Sequence, residues 1–142
     1  MADRVFNLEV VTPRREVIKA DSTDVILPGI TGQLEAYPLH RPLLTALKPG
    51  LLACQLGDGK RSFYISGGYA EVLSDRIVVL ADDCEEIKAI DLEEARARAA
   101  DANKALDERR MLPPDERAPF QTAADKANTR LRLVEAAAHS DH

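Results

Sequence analysis

Tryptophan is absent, cysteine occurs twice and histidine three times, and no glycine follows Gly68. Each scarcity removes a class of reading. Cys54 and Cys84 have no CxxC spacing and the histidines do not complete a ligand cluster, so no metal site is expected and the thiols read as reduced and structural. Long apolar runs are also missing: the longest, such as Arg76–Ala81, are strand-length, against the roughly 20 residues that span a bilayer, so no direct membrane insertion is expected. Met1-Ala2-Asp3-Arg4 leads straight into an alternating pattern without a basic flank and apolar core, which argues against a secretory signal and for a cytosolic location. Positive charge is in deficit, Lys+Arg 19 against Asp+Glu 24, and the net charge of -5 repels nucleic acid and anionic lipid at long range. A chain of 142 residues with 45% hydrophobic side chains supplies one core and a small appendage, not a large multidomain enzyme.

What is present changes character partway along. All seven glycines lie at or before Gly68, and five of the six aromatics (Phe6, Tyr37, Phe63, Tyr64, Tyr69) fall in the same part, whereas fourteen of the residues from Ala89 onward are alanine. The first part carries strand chemistry. Phe6–Val10 alternates apolar and polar residues, and similar runs occur at 17–20, 24–27, 33–37, 43–47, 51–56, 62–66, 70–73 and 76–81, separated by Pro, Gly, Asp and Ser. Gly57-Asp58-Gly59 is the clearest hairpin turn. This predicts a β-sandwich or flattened barrel of about 8–10 short strands over residues 1–88.

The period becomes helical over 89–142. Asp91 is placed to cap a helix, with Glu94 reaching back to complete a capping box. Leu92, Ala95, Ala99, Ala102 and Leu106 form one narrow seam; Phe120, Ala124, Ala127, Leu131 and Val134 form another, and Pro113, Pro114 and Pro119 separate the helices and preset the second. Two such seams predict an antiparallel helical hairpin. Each alanine buries about one methyl, worth roughly 0.8 kcal/mol, so the paired state is only weakly favoured and can open to a partner.

Candidate chemistry is sparse. Pro28-Gly29-Ile30-Thr31-Gly32 lacks the Lys-Ser/Thr of a phosphate loop and reads as a turn. His40 lies between Pro38 and Pro42 without a nucleophile motif, and His139 and His142 read as solvated. Asp82, Asp83, Glu85 and Glu86 lack the alternation of a calcium loop and read as a lead from strand into helix. Arg96, Arg98, Lys104, Lys126, Arg130 and Arg132 decorate the helices as a solvated face or as a docking surface for an acidic partner. No catalytic constellation emerges by spacing, and the lone His40 in its proline-bound loop is the only support for an enzyme.

The stretch Gly32-Gln33-Leu34-Glu35-Ala36-Tyr37-Pro38-Leu39-His40-Arg41-Pro42-Leu43-Leu44-Thr45-Ala46-Leu47-Lys48-Pro49-Gly50 resembles the signature loop and strand of the epsilon subunit of rotary F-type ATP synthases, the mitochondrial delta subunit. Val11-Thr12-Pro13, Ser66–Val72 and Val79–Asp82 follow the same family's order, so the resemblance covers nearly the entire chain. It implies a non-catalytic rotor part of the central stalk on the cytoplasmic face of the bacterial inner membrane. Its sandwich would join the gamma subunit to the c-ring through Gln33, Tyr37, Pro38, His40, Arg41 and Pro42. Its helices would restrain ATP hydrolysis by extending toward the alpha/beta catalytic subunits, with Arg96, Arg98, Lys126, Arg130 and Arg132 as the regulatory cations. Two departures stand out in the loop: Gln33 where the family is commonly acidic, and Leu39 where it commonly has glycine. No cofactor is implied, and ATP enters only as a regulatory ligand. Some bacterial members bind it at Ile/Leu-Asp-x-x-Arg-Ala; here Ile90-Asp91-Leu92-Glu93-Glu94-Ala95 has Glu94 at the arginine position, while a shift by two keeps Arg96 but puts Glu93 at the aspartate. Asp91, Glu93 and Arg96 are therefore the nucleotide candidates. The rival reading is an unrelated soluble β-sandwich adaptor whose helical hairpin binds a peptide or another helix.

Overall fold

The computed structural model describes residues 5–38 and 42–140, and the chain divides into two compact units, Met1–Glu86 and Ile87–His142. In the first unit the strands are β1 Phe6–Val11, β2 Glu16–Gly29, β3 Gly32–Ala36, β4 Leu43–Leu47, β5 Gly50–Leu56, β6 Gly59–Ile65, β7 Gly68–Val72, β8 Arg76–Ala81 and β9 Cys84–Glu86. The alternation read in β1 holds: Phe6, Leu8 and Val10 are buried, and Asn7, Glu9 and Val11 face the other side. Thr12 closes the next turn, its N–H donating to Arg15 O (2.9 Å) and its Oγ1 accepting from Arg15 N–H (3.2 Å).

Two of the expected short strands, 17–20 and 24–27, are one 14-residue strand, β2. The polar stretch between them makes a bulge rather than a turn, because the register slips between Ser22 and Asp24. Ser22, only 1% exposed, satisfies the irregular backbone: its Oγ donates to Gln55 O (2.7 Å) and accepts from Asp24 N–H (3.4 Å). The bend lets one strand pair with β1 along its first half and with β3 and β5 along its second, touching β4 at Gly29↔Leu47. The ladder runs β1-β8-β7-β4-β2-β5-β6-β9, and the β1–β2 pairing closes it on itself. The β1–β8 pair is parallel. The acidic run is also corrected: Cys84–Glu86 is a strand paired to β6, where Glu86 accepts from Arg61 at 3.0 Å, rather than a lead into helix.

Enclosed by this ladder lies a core whose largest fully buried side chains include Phe63, Leu8, Leu27, Leu52, Ile65 and Ile77. Each contributes roughly 1.5–3 kcal/mol through burial. Cys54 and Cys84 are free and buried, and burial pushes their thiols up to about 11 and about 12. Geometry requires glycine at several positions, Gly59 and Gly68 among them. Gly59 ends the Gly57-Asp58-Gly59 turn at φ +132, and Gly68 sits at φ +139 with no space for a side chain, since a Cβ would lie 2.1 Å from Leu80 O.

The second unit holds a 3-10 turn, Ile87–Ala89, then α1 Leu92–Asp107 and α2 Pro114–Ser140. Asp91 caps α1, its Oδ2 accepting Glu94 N–H at 3.0 Å. Glu94 instead turns its carboxylate to Arg98 (2.7 Å) and Arg130 (2.8 Å) rather than back to the cap, so the expected reciprocal half of the box gives way to ion pairs. Pro114 opens α2, with Pro113 O accepting from Arg117 N–H (2.9 Å), and Pro119 lies inside the helix, where it has no N–H to donate to the carbonyl four residues earlier. Of the ten seam residues, Ala95, Ala99, Ala124, Ala127 and Val134 are buried and the other five half-buried. The hairpin is antiparallel: Glu94 pairs with Arg130, Asn103 and Asn128 exchange amide hydrogen bonds (2.9 and 3.1 Å), and Arg109 stacks 4.1 Å over Phe120.

Candidate functional site: an apolar sheet face and a helical arm

Strand register places the most conspicuous surface of the first unit. Ala46 on β4 pairs with Tyr69 on β7, Tyr69 with Leu80 on β8, and Leu80 with Val11 on β1. These four side chains therefore form a row across four strands on the face opposite the core. Tyr69 is 56% and Leu80 54% exposed, and Leu44, at 66%, stands two residues from Ala46 on the same face of β4. Polar groups belong on the solvent side of such a sheet, so a row of apolar ones marks a docking face.

The loop candidates do not form one cluster. Gln33 stands exposed at the start of β3, next to the Gly29–Gly32 turn with its exposed Ile30, whereas Tyr37, Pro38 and Pro42 belong to the connection beyond the other end of that strand. Three residues lie between Gln33 and Tyr37, and the extended chain spans about 13 Å from one to the other. Tyr37 donates its hydroxyl to the Glu35 carboxylate, and this bond holds the phenol up to about 12. His40 and Arg41 lie outside the described residues.

On the arm, Arg96 pairs with Glu93 (2.9 Å), Arg132 donates to Thr129 Oγ1 (3.1 Å), and Lys126 is half-buried. Arg98 and Arg130 converge on Glu94, and Arg130, read from the sequence as part of a decorating face, is 5% exposed. Arg130 holds the Glu94 carboxyl below the usual carboxylate range, by its hydrogen bond first. The nucleotide candidates are occupied locally: Asp91 by the cap, Glu93 and Arg96 by each other. A hollow of ≈ 140 Å³ bordered by Asp24, Gln55 and Lys60 falls below the roughly 300–1,000 Å³ of ligand pockets. Among the described residues there is no group of three metal-ligating side chains, and no helix is long and apolar enough to cross a membrane.

Sequence reasoning missed the row. Its signal was Arg76–Ala81, where apolar residues run on without alternating, as they do when both faces of a strand are to be covered.

Comparison with known proteins follows the same outline. The beta-sandwich domain model of the ATP synthase delta/epsilon chain matches residues 5–87. The ATP synthase epsilon chain of Moorella thermoacetica is 37% identical over 91% of this chain and 96% of its own length, and that of Syntrophobacter fumaroxidans is 38% identical over 95% and 98%. Among solved structures, a chain of the Euglena gracilis mitochondrial ATP synthase (OSCP/F1/c-ring, rotational state 1) superposes with a TM-score of 0.75 at 18% identity, covering 95% of this chain and 82% of that one. A chain of the Tetrahymena thermophila mitochondrial ATP synthase central stalk and c-ring gives 0.56 at 16% identity, covering 96% and 98%. With its sandwich matched by the family model and its relatives aligned through the helices, the chain belongs to the ATP synthase delta/epsilon family.

Proposed function

We propose that this chain is a non-catalytic central-stalk subunit of a rotary ATP synthase, with its sandwich joining gamma to the c-ring and its helical arm restraining ATP hydrolysis. The observation that carries the proposal is the apolar row Val11–Leu80–Tyr69–Ala46, with Leu80 and Tyr69 exposed between half-buried Val11 and Ala46, a face suited to a partner on a domain of this family. Gamma is assigned to that face, and the c-ring to the Gly29–Gly32 turn with Gln33 and to the connection containing Tyr37, Pro38, His40, Arg41 and Pro42. The arm acts on the alpha/beta catalytic subunits when it opens, with Arg96, Arg98, Lys126, Arg130 and Arg132 meeting acidic partner surfaces. A peripheral position on the cytoplasmic face of a bacterial inner membrane follows from this assembly. The proposal needs no nucleotide at Asp91, Glu93 and Arg96, where Asp91 caps the helix and Glu93 and Arg96 form an exposed pair.

An unrelated adaptor would not align with epsilon chains over nine-tenths of its length. The experiment is titration of the purified chain against a gamma subunit. A one-to-one complex is expected, weakened at least about tenfold by Tyr69→Asp or Leu80→Asp, each of which sets a carboxylate in an apolar contact. Equal binding by all three proteins removes the docking face. Deleting Leu92–His142 is expected to leave assembly intact and raise hydrolysis by the complex, and unchanged hydrolysis removes the restraining role.

A further inference from the structure

Two carboxyl groups share the outer face of the sheet where the ladder between β2 and β3 ends. The strands pair from Gly29↔Gly32 to Val25↔Ala36, with Glu35 opposite Ile26. Asp24 is the next residue of β2 beyond that ladder, and Tyr37 is the next after β3. Alternation therefore sets Asp24, Glu35 and Tyr37 on one face, with Asp24 diagonal to Glu35. Among the described residues β3 pairs with β2 alone, so this end of the strand has a single support.

Asp24 Oδ1 is buried and makes no hydrogen bond. The Tyr37 hydroxyl donates to Glu35 Oε1, and Gln55, opposite Asp24 on β5, donates its Nε2 to Leu56 O. Lys60 stands one strand further away, opposite Gln55 on β6. Burial first, then the Glu35 carboxyl within hydrogen-bonding reach and its charge, hold the Asp24 carboxyl above its ordinary 3.8, against the smaller pull of Lys60 and of the Val25 backbone N–H. Two ionised carboxylates placed this way repel each other and leave Oδ1 uncompensated. One proton removes both costs, because a protonated carboxyl can donate to its neighbour. That proton belongs to the pair rather than to either residue.

We propose that Asp24 and Glu35 form a site for one shared proton, whose occupancy fastens the end of β3 and the Tyr37 side chain to β2. When the proton leaves, the two like charges part, and the end of β3, supported on one side only, moves away from β2. Tyr37 belongs to the connection assigned above to the c-ring; if that assignment holds, the site makes the contact sensitive to proton concentration. The site is read on the isolated full chain, so its failure is distinct from failure of the c-ring assignment.

NMR of the 13C-labelled full chain, titrated from about pH 3 to about pH 8, follows the carboxyl carbons of Asp24 and Glu35. Cross-strand nuclear Overhauser contacts of Ala36 and Tyr37 with residues 24 and 25 report whether the strand end is docked. The Asp24 midpoint is expected above 3.8, each carboxyl is expected to show two steps, and the cross-strand contacts should fade along the same curve as the proton leaves. Glu35→Gln removes the second charge and offers an amide donor, so the Asp24 midpoint should fall to the ordinary value or below and its curve become a single step. Asp24→Asn keeps a donor in place of the bound proton and should preserve the cross-strand contacts over the whole range. Four results overturn the site: a parent Asp24 midpoint at or below 3.8, an unchanged midpoint in Glu35→Gln, contacts in the parent that ignore the carboxyl titration, or contacts that still fade in Asp24→Asn. Fading shared by the β5–β6 ladder at the same midpoint is unfolding of the whole sheet and also overturns it.

Discussion

Replacing Gly68 by alanine tests the tightest contact in the sandwich. The added methyl would lie 2.1 Å from Leu80 O and 2.9 Å from Ala81 Cα, both backbone atoms, and the residue would have to keep φ +139. No side chain can rotate away to relieve this. Strand β7 must retreat from β8 by roughly an ångström merely to bring the first contact to 3.0 Å. The strained backbone costs about 1–3 kcal/mol, and each ladder hydrogen bond stretched beyond use about 1 more, so a loss of about 3–5 kcal/mol is expected. Against a stability of about 5–15 kcal/mol this is a large fraction, a drop in Tm of more than about 10 °C for a domain of this size. Gly57 supplies the control. A Cβ there meets nothing within 4 Å and its φ is ordinary, so Gly57→Ala should be neutral or slightly stabilising. Denaturant unfolding of both variants against the parent, with intact m-values, is the assay. A Gly68→Ala loss below about 1 kcal/mol, or equal effects at the two glycines, would refute the reasoning.

Ser22→Ala strips the β2 bulge of the hydroxyl that serves Gln55 O and Asp24 N–H, and is expected to cost about 1–3 kcal/mol in denaturant unfolding. The depressed Glu94 carboxyl fixes a sign for the arm: its contribution is present above the ordinary carboxylate pKa of 4.5 and is lost as pH falls through the lower folded value. Interhelical distance should therefore be constant from pH 6 to 8 and lengthen only in acid, which dipolar spectroscopy or energy transfer can follow. Burial holds Cys54 and Cys84 at about 11 and about 12, so a thiol reagent at pH 8 should titrate neither until denaturant is added; stability should also fall as pH rises above 9.0, where the unfolded thiols ionise first.

Much of this architecture is legible in the residues because most of it is local. Alternation marked Phe6–Val10, Gly57-Asp58-Gly59 marked its turn, Asp91 marked a helix start, and alanine spacing marked both seams, each depending on neighbours within a few positions. What escaped depends on distant partners. Ser22 falls in a gap between two expected strands until Gln55 arrives to receive its hydroxyl, and Cys84–Glu86 reads as a lead from strand into helix until β6 offers an edge. Arg130 reads as a surface cation until Glu94, 36 residues earlier, is brought to it by the hairpin. The site was half visible. The family's loop could be read as an unbroken string, but a strand parts Gln33 from Tyr37, and the apolar row exists only once β1, β8, β7 and β4 are laid side by side.

The parallel alliance of β1 with β8 also governs when this molecule can be born. Asn7 meets Arg76 and Val11 meets Leu80, partners some 69 residues apart, so a nascent chain cannot seal its ladder until the eighth strand has left the ribosome. Until then β1 and β7 expose raw edges to any neighbouring polypeptide. A truncation ending before Arg76 should thus yield clumped, protease-sensitive material, whereas one ending after Glu86 retains every strand of the closed ladder.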